Sequence, residues 1–183
     1  MGKKLAKFVL KCRKWNYNEF PDIDKAVVLM APHTSMMDFV YGKIYFIAHG
    51  KKPTILIKKE IFFWPMGPIL RKLGAIPVDR GKRTGITDMA VETFKNKEGR
   101  FYLVITPEGT RKKTKNWKKG FIRIAKAANV PVICGFIDFK TRSMGVMEPL
   151  DMSGTDEEIM ERVKRRYVGF EGVHPENFAT GYE

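Results

Sequence analysis

Short apolar runs alternate along this chain with longer stretches whose apolar positions recur at helical spacing. The runs at 26–31, 54–58, 75–79, 101–106, 130–138 and 143–147 are strand-like, the first rich in Val and Leu, and their lengths suit strands. Between them, 36–48, 61–73, 85–97, 119–128 and 156–168 read as helices. Ser35 with Asp38, and Thr155 with Glu158, have the spacing of capping boxes at two of the helix starts. This alternation predicts an α/β fold: one domain with a mostly parallel or mixed central sheet flanked by helices. That domain is expected over residues 21–183, after a short amphipathic N-terminal helix within 1–20, and no fixed-period repeat is present.

Two segments carry apolar surface that the strand and helix pattern does not require. In the first fifteen residues, Leu5, Phe8, Val9, Cys12 and Trp15 fall near helical spacing among Lys3, Lys4, Lys7, Lys11, Arg13 and Lys14. Such a helix either packs its stripe on the domain or lies in a membrane interface with its lysines toward anionic headgroups. The second segment, Ile61 to Leu70, clusters Phe62, Phe63 and Trp64 around Pro65, Gly67 and Pro68. It is too short to span a bilayer and awkward as a plain helix. It serves as core, as a membrane-dipping surface or as a wall of an apolar pocket.

The candidate chemistry lies just beyond the strands. Ala31-Pro32-His33-Thr34-Ser35-Met36-Met37-Asp38 follows the first strand and opens the next helix. Five residues apart in one continuous helix, His33 and Asp38 would point about 140° away from each other. With His33 on the turn before the helix, the imidazole can fold back onto the carboxylate. A His held this way is a general base with a fixed tautomer, suited to taking a proton from a hydroxyl. Its bland counterpart is a helix-start residue beside a carboxylate that complements the helix dipole.

Three more segments stand at strand positions. Gly74 to Gly81 ends in Asp79 and Arg80, and a guanidinium fork suits phosphate. Thr106-Pro107-Glu108-Gly109-Thr110-Arg111 puts a carboxylate and an arginine on either side of a glycine, where backbone can approach a ligand. Asn129 to Phe136 is an apolar strand with Pro131 near its start, where a strand tolerates proline.

In this order and spacing, the four segments resemble the glycerolipid acyltransferase family that includes the lysophosphatidic acid acyltransferases. His33 and Asp38 match its H-x-x-x-x-D block, Gly74 and Arg80 its second block, Glu108 to Arg111 its third and Pro131 its fourth. The resemblance spans roughly 26–139. It departs from the common pattern at Pro32, Pro77 and Cys134, in segments that frame the acceptor pocket in relatives. What it implies is acyl transfer from a thioester, acyl-CoA or an acyl carrier protein, to a lysophospholipid hydroxyl, foremost 1-acylglycerol-3-phosphate. His33 would be the base and Asp38 its orienting group, with Arg80 and Arg111 on the acidic headgroup. Glu108, Gly109 and Thr110 would belong to the acceptor site. Neither a metal nor a cofactor is required.

Composition bears on the setting. A net charge of +14 with a pI near 9.8 predicts anionic partners, either nucleic acid or an anionic membrane surface. No nucleic-acid module is recognisable, so nucleic acid is not expected. Cys12 and Cys134 give no disulfide framework, and His33, His49 and His174 give no zinc pattern. Neither a secretory signal nor a membrane-spanning stretch is evident, which predicts a cytoplasmic protein, peripheral on the inner face of the cell membrane. The run Arg111 to Gly120, with Trp117 inside it, is a candidate for holding a headgroup or the phosphates of CoA. Competing readings are an acyltransferase for another lysolipid, such as a lyso-aminolipid, and a basic nucleic-acid- or lipid-binding protein without catalysis.

Overall fold

Residues 2–78 and 83–182 are described by a computed structural model. Among these residues the six apolar runs form strands of one sheet, which a short strand at Asn16–Tyr17, not signalled by the pattern, extends to seven in the order β1-β7-β6-β2-β5-β3-β4. β2 (Lys25–Ala31) runs parallel to β5 (Phe101–Ile105) on one side and to β6 (Val132–Asp138) on the other. β3 (Pro53–Lys58) is parallel to both β5 and β4 (Ala75–Val78). β7 (Ser143–Pro149) returns antiparallel to β6, while the two-residue β1 (Asn16–Tyr17) pairs parallel with β7. The sheet is therefore mixed and mostly parallel, as its α/β pattern requires.

Side chains alternate across a strand, so each strand feeds two cores. Val27, Leu29 and Ala31 join Leu103 and Cys134 on one face, under α4 (Arg83–Asn96), α5 (Gly120–Ala128) and α6 (Asp156–Arg166). Ala26 and Val28 face the opposite way, with Tyr102 and Ile133, under α1 (Lys3–Cys12) and α2 (Met36–Ala48). Ala26, Val27, Val28 and Leu29 are all fully buried, which explains why β2 reads as a continuous apolar run instead of an alternation. Crossovers of parallel strands are right-handed. Connections moving toward β4 thus put α2 and α3 (Met66–Lys72) on one face, and those moving back put α4 and α5 on the other. Lys43 of α2 donates from Nζ to Leu73 O just after α3, which ties these two neighbours together.

Two expectations are corrected, and the N-terminal stripe is shared between inside and outside. The helix expected over 61–73 begins only at Met66; Lys59–Ile61 is a single 3-10 turn. Pro65 has no N–H to give and biases Trp64 away from helical backbone, so the chain turns before it can coil. The apolar stripe of the N-terminal helix divides. Ala6 and Leu10 are buried against the domain, Trp15 packs on Tyr41 and Phe139, and Leu5 and Phe8 stay 51% and 62% exposed. Finally, Trp117 belongs to the core and not to a headgroup surface. Its ring lies against Tyr167 and Phe178, and its Nε1 donates to Ala179 O over 3.1 Å. The lysines around it, Lys112, Lys113, Lys118 and Lys119, are exposed.

Candidate active site

Because β2, β5, β3 and β4 share one direction, their C-terminal ends lie along one edge of the sheet, where open α/β folds place ligands. His33 follows β2 and Glu108 follows β5. Arg80, expected just past β4, lies outside the described residues, so its place in the site is not described.

The turn from β2 into α2 is built around one carboxylate oxygen. Ser35, in extended backbone, is the N-cap of α2, and its hydroxyl accepts from the N–H of Met37 over 3.2 Å. Asp38 reaches back, and its Oδ2 accepts the N–H groups of Thr34 at 2.6 Å and Ser35 at 2.8 Å. The Ser35 N–H is one of the donors that a helix start leaves unpaired, and the Thr34 N–H comes from the residue just before the cap. His33 Nδ1 faces the same oxygen at 3.4 Å. The fold-back expected from the His–Asp spacing is what the turn produces. Asp38 is 6% exposed and His33 22%, so the carboxylate is shielded while the imidazole still opens to solvent.

Glu108 supports this turn from the neighbouring strand. The N–H of His33 donates to Glu108 Oε1 over 2.7 Å. Burial pushes the Glu108 carboxyl up to about 7; the donated N–H groups oppose this, and Asp38 close by adds to it. Glu108 Oε2 and Asp38 Oδ1 are buried without a hydrogen-bond partner among the described residues. A carboxyl near its midpoint at neutral pH can carry a proton on that second oxygen. Beneath lies Tyr167, whose hydroxyl is shared between Leu29 O at 3.1 Å and Gly135 O at 3.0 Å, joining β2 to β6.

The rest of the Glu108 segment is more open. Gly109 has φ +67°, a left-handed conformation natural to glycine, and its N–H closes a turn onto Thr106 O at 3.1 Å. Thr110 is half-buried, with its hydroxyl taking the N–H of Lys112 at 3.1 Å, and Arg111 is exposed. The structure thus brings together His33, Asp38 and Glu108, with Gly109, Thr110 and Arg111 following on the same loop. The N–H groups of His33, Thr34, Ser35 and Gly109 are already engaged, so none of these four is free to meet an oxyanion.

Residues that the sequence pattern did not single out also touch the turn. His174 donates its backbone N–H to Thr34 Oγ1, and Gly172 packs on the Thr34 side chain. Lone polar and glycine positions in a tail without periodicity carry no signal from which this contact could be read.

A buried carboxylate behind an accessible imidazole can orient that ring and stabilise its protonated form during a proton transfer. Among solved structures, the chain is similar to the 1-acyl-sn-glycerophosphate (LPA) acyltransferase PlsC from Thermotoga maritima. The TM-score is 0.61 at 22% identity, over 90% of this chain and 76% of that one. Among curated proteins, none matches. The family model for acyltransferases matches residues 11–137, more than half of the chain and all of the segment from β2 to the Glu108 loop. By that match, the chain belongs to the acyltransferase family of enzymes.

Proposed function

We propose that the protein transfers a fatty acyl group from a thioester, acyl-CoA or acyl carrier protein, to the free hydroxyl of 1-acylglycerol-3-phosphate at an anionic membrane surface. The observation that carries this reading is the His33 Nδ1 to Asp38 Oδ2 contact at the mouth of the parallel strands. With Nδ1–H turned to Asp38, Nε2 is the atom left to act. It removes the acceptor hydroxyl proton as that oxygen attacks the thioester carbonyl carbon. The tetrahedral intermediate then expels the thiolate, which takes the proton back from His33. The C–O bond of the new ester forms and the C–S bond breaks. Asp38 keeps its charge throughout and holds the imidazolium. The 3.4 Å contact is longer than a good hydrogen bond and is of the kind that tightens when substrate closes the site.

Arg111 is exposed on the loop that follows Glu108, within the same edge, and suits the acceptor phosphate; Arg80 is assigned the same role by family resemblance. Membrane attachment is supported by where the apolar surface lies. Apart from Val168 and Tyr182, the exposed large apolar residues of the described chain fall on α1 (Leu5, Phe8), the start of α2 (Met36, Met37, Val40) and the segment with Ile61, Phe63, Trp64, Met66 and Ile69. The start of α2 directly follows the His33 turn, so lipid and base would meet at one edge. A net charge of +14 adds attraction to anionic headgroups. No helix among the described residues is long and apolar enough to cross a membrane. Residues 1–20 would serve as a surface anchor and 21–183 as the catalytic domain.

The reading is tested by mass spectrometry of lipids after incubation with lysophosphatidic acid vesicles and a long-chain acyl thioester. Phosphatidic acid bearing the donor chain is the expected product. Free fatty acid alone, or no conversion with either CoA or carrier-protein donors, contradicts it. Arg111→Ala is expected to raise KM for the phosphorylated acceptor more than for the donor.

A further inference from the structure

The family match ends at residue 137, yet the polypeptide beyond it returns to the His33 turn. Among the described residues after α6, the one regular element is a 3-10 turn, Pro175–Asn177. It is nevertheless fastened at each step. Phe170 stacks on Phe136 with ring centroids 4.9 Å apart. Glu171 accepts the N–H of Phe139 at 2.9 Å and donates its own N–H to Asp138 Oδ1 at 3.1 Å, on a carboxylate that is buried. Further on, Ala179 O takes the indole N–H of Trp117, close after the Glu108 loop. Between these anchors, Gly172 and His174 lie directly on the catalytic turn.

Two independent contacts meet at Thr34. The N–H of His174 donates to Thr34 Oγ1 at 3.2 Å, and Thr34 is only 4% exposed. A Cβ placed on Gly172 would fall 2.4 Å from Thr34 Oγ1, 2.8 Å from its Cγ2 and 3.2 Å from Pro32 Cβ. Nothing larger than glycine fits without displacing the turn. The Cα that carries this clamped side chain also carries the N–H aimed at Asp38 Oδ2. Fixing the side chain therefore fixes the donor, the donor fixes the carboxylate, and the carboxylate faces His33 Nδ1.

We infer that the segment Phe170–His174 is a strap that positions the catalytic turn, with Thr34 and Gly172 as its positioning residues. Building on the His33–Asp38 assignment, the strap's contribution lies in chemistry after binding: it sets the aim of the base without touching either substrate. Small misplacements of a base lower turnover far more than they weaken binding.

The test compares Thr34→Val, Thr34→Ser and Gly172→Ala in the full chain, beside His33→Ala. Valine keeps the shape of threonine and removes the acceptor for His174; serine keeps the acceptor. For Thr34→Val and Gly172→Ala, kcat is expected to fall about tenfold or more, with the KM of the acyl donor within about twofold. Thr34→Ser is expected to recover most of that loss. The His33 ring resonance, assigned by its disappearance in His33→Ala, is expected to move in Thr34→Val and stay in Thr34→Ser, while that of His49 stays in both. Wild-type kcat in folded Thr34→Val, or a loss equal in the serine variant, would overturn the strap. Should Gly172→Ala not fold, the valine and serine pair decides alone. Turnover by His33→Ala would instead overturn the base assignment, so the two failures read differently.

Discussion

The two faces of the sheet are finished differently. Over α4, α5 and α6 the outer surface is charged and internally matched, with Arg123 on Asp88, Lys126 on Asp156 and Arg165 on Glu161. Over α1, α2 and the segment before α3 it carries Leu5, Phe8, Met36, Met37, Phe63 and Trp64, the last 85% exposed. Both faces cover equally well-buried cores, so the contrast does not come from folding. A face of paired charges and a face with exposed apolar side chains sit on one scaffold, and the His33 turn opens at the edge beside the second. On α1 the contrast falls within one helix, with Ala6 and Leu10 buried inward and Leu5 and Phe8 exposed outward.

The largest effect should come from the inner side of α1. Leu10→Ala, at a fully buried position, is expected to destabilise the fold by about 3 kcal/mol in denaturant titrations. Equal stability would mean that α1 is not docked. Next comes the edge between the faces. Burial holds the Glu108 carboxyl at about 7 against an ordinary 4.5, so the folded state keeps a proton that the unfolded chain releases. Its contribution is complete below pH about 4.5 and is lost as pH rises to about 7, on the order of 2 to 3 kcal/mol. The difference in stability between wild type and Glu108→Gln across that window measures this loss. A pH-independent difference would place Glu108 in contact with water.

On the outer side, Phe63→Ser with Trp64→Ser is expected to weaken binding to anionic vesicles about tenfold or more, leaving the thermal midpoint unchanged. Leu5→Ser with Phe8→Ser should weaken it by a smaller factor. Unaltered vesicle binding in both pairs would erase the distinction between the faces. The smallest effect belongs to the matched face. Arg123→Ala should change stability by no more than about 0.5 kcal/mol and leave vesicle binding as it was.

Much of this was legible from residue pattern. β2 and β5 declared themselves through unbroken apolar runs, since burial on both faces removes the need for polar positions. The His33–Asp38 geometry followed from a capping box, a local device whose residues are all within one turn. What escaped reading depends on distant contacts. Trp117 lies in a lysine run that looks like surface, and only the return of Phe178 and Ala179 encloses it. Glu108 appears from sequence as a ligand group on an open loop; its burial arises because the β5 loop meets the β2 turn. α1 hid its docking side, because Ala6 and Leu10 are less conspicuous than Phe8 and Trp15. The strap at Thr34 links residues 140 positions apart and has no local signature at all.

The central claim is that His33, oriented by Asp38, drives acyl transfer to a lipid hydroxyl. Its most direct test is free-thiol release from a long-chain acyl-CoA, with and without lysophosphatidic acid, by wild type and by folded His33→Ala. Release that requires the acceptor and disappears in the variant is the expected result. Comparable release from folded His33→Ala would contradict the claim.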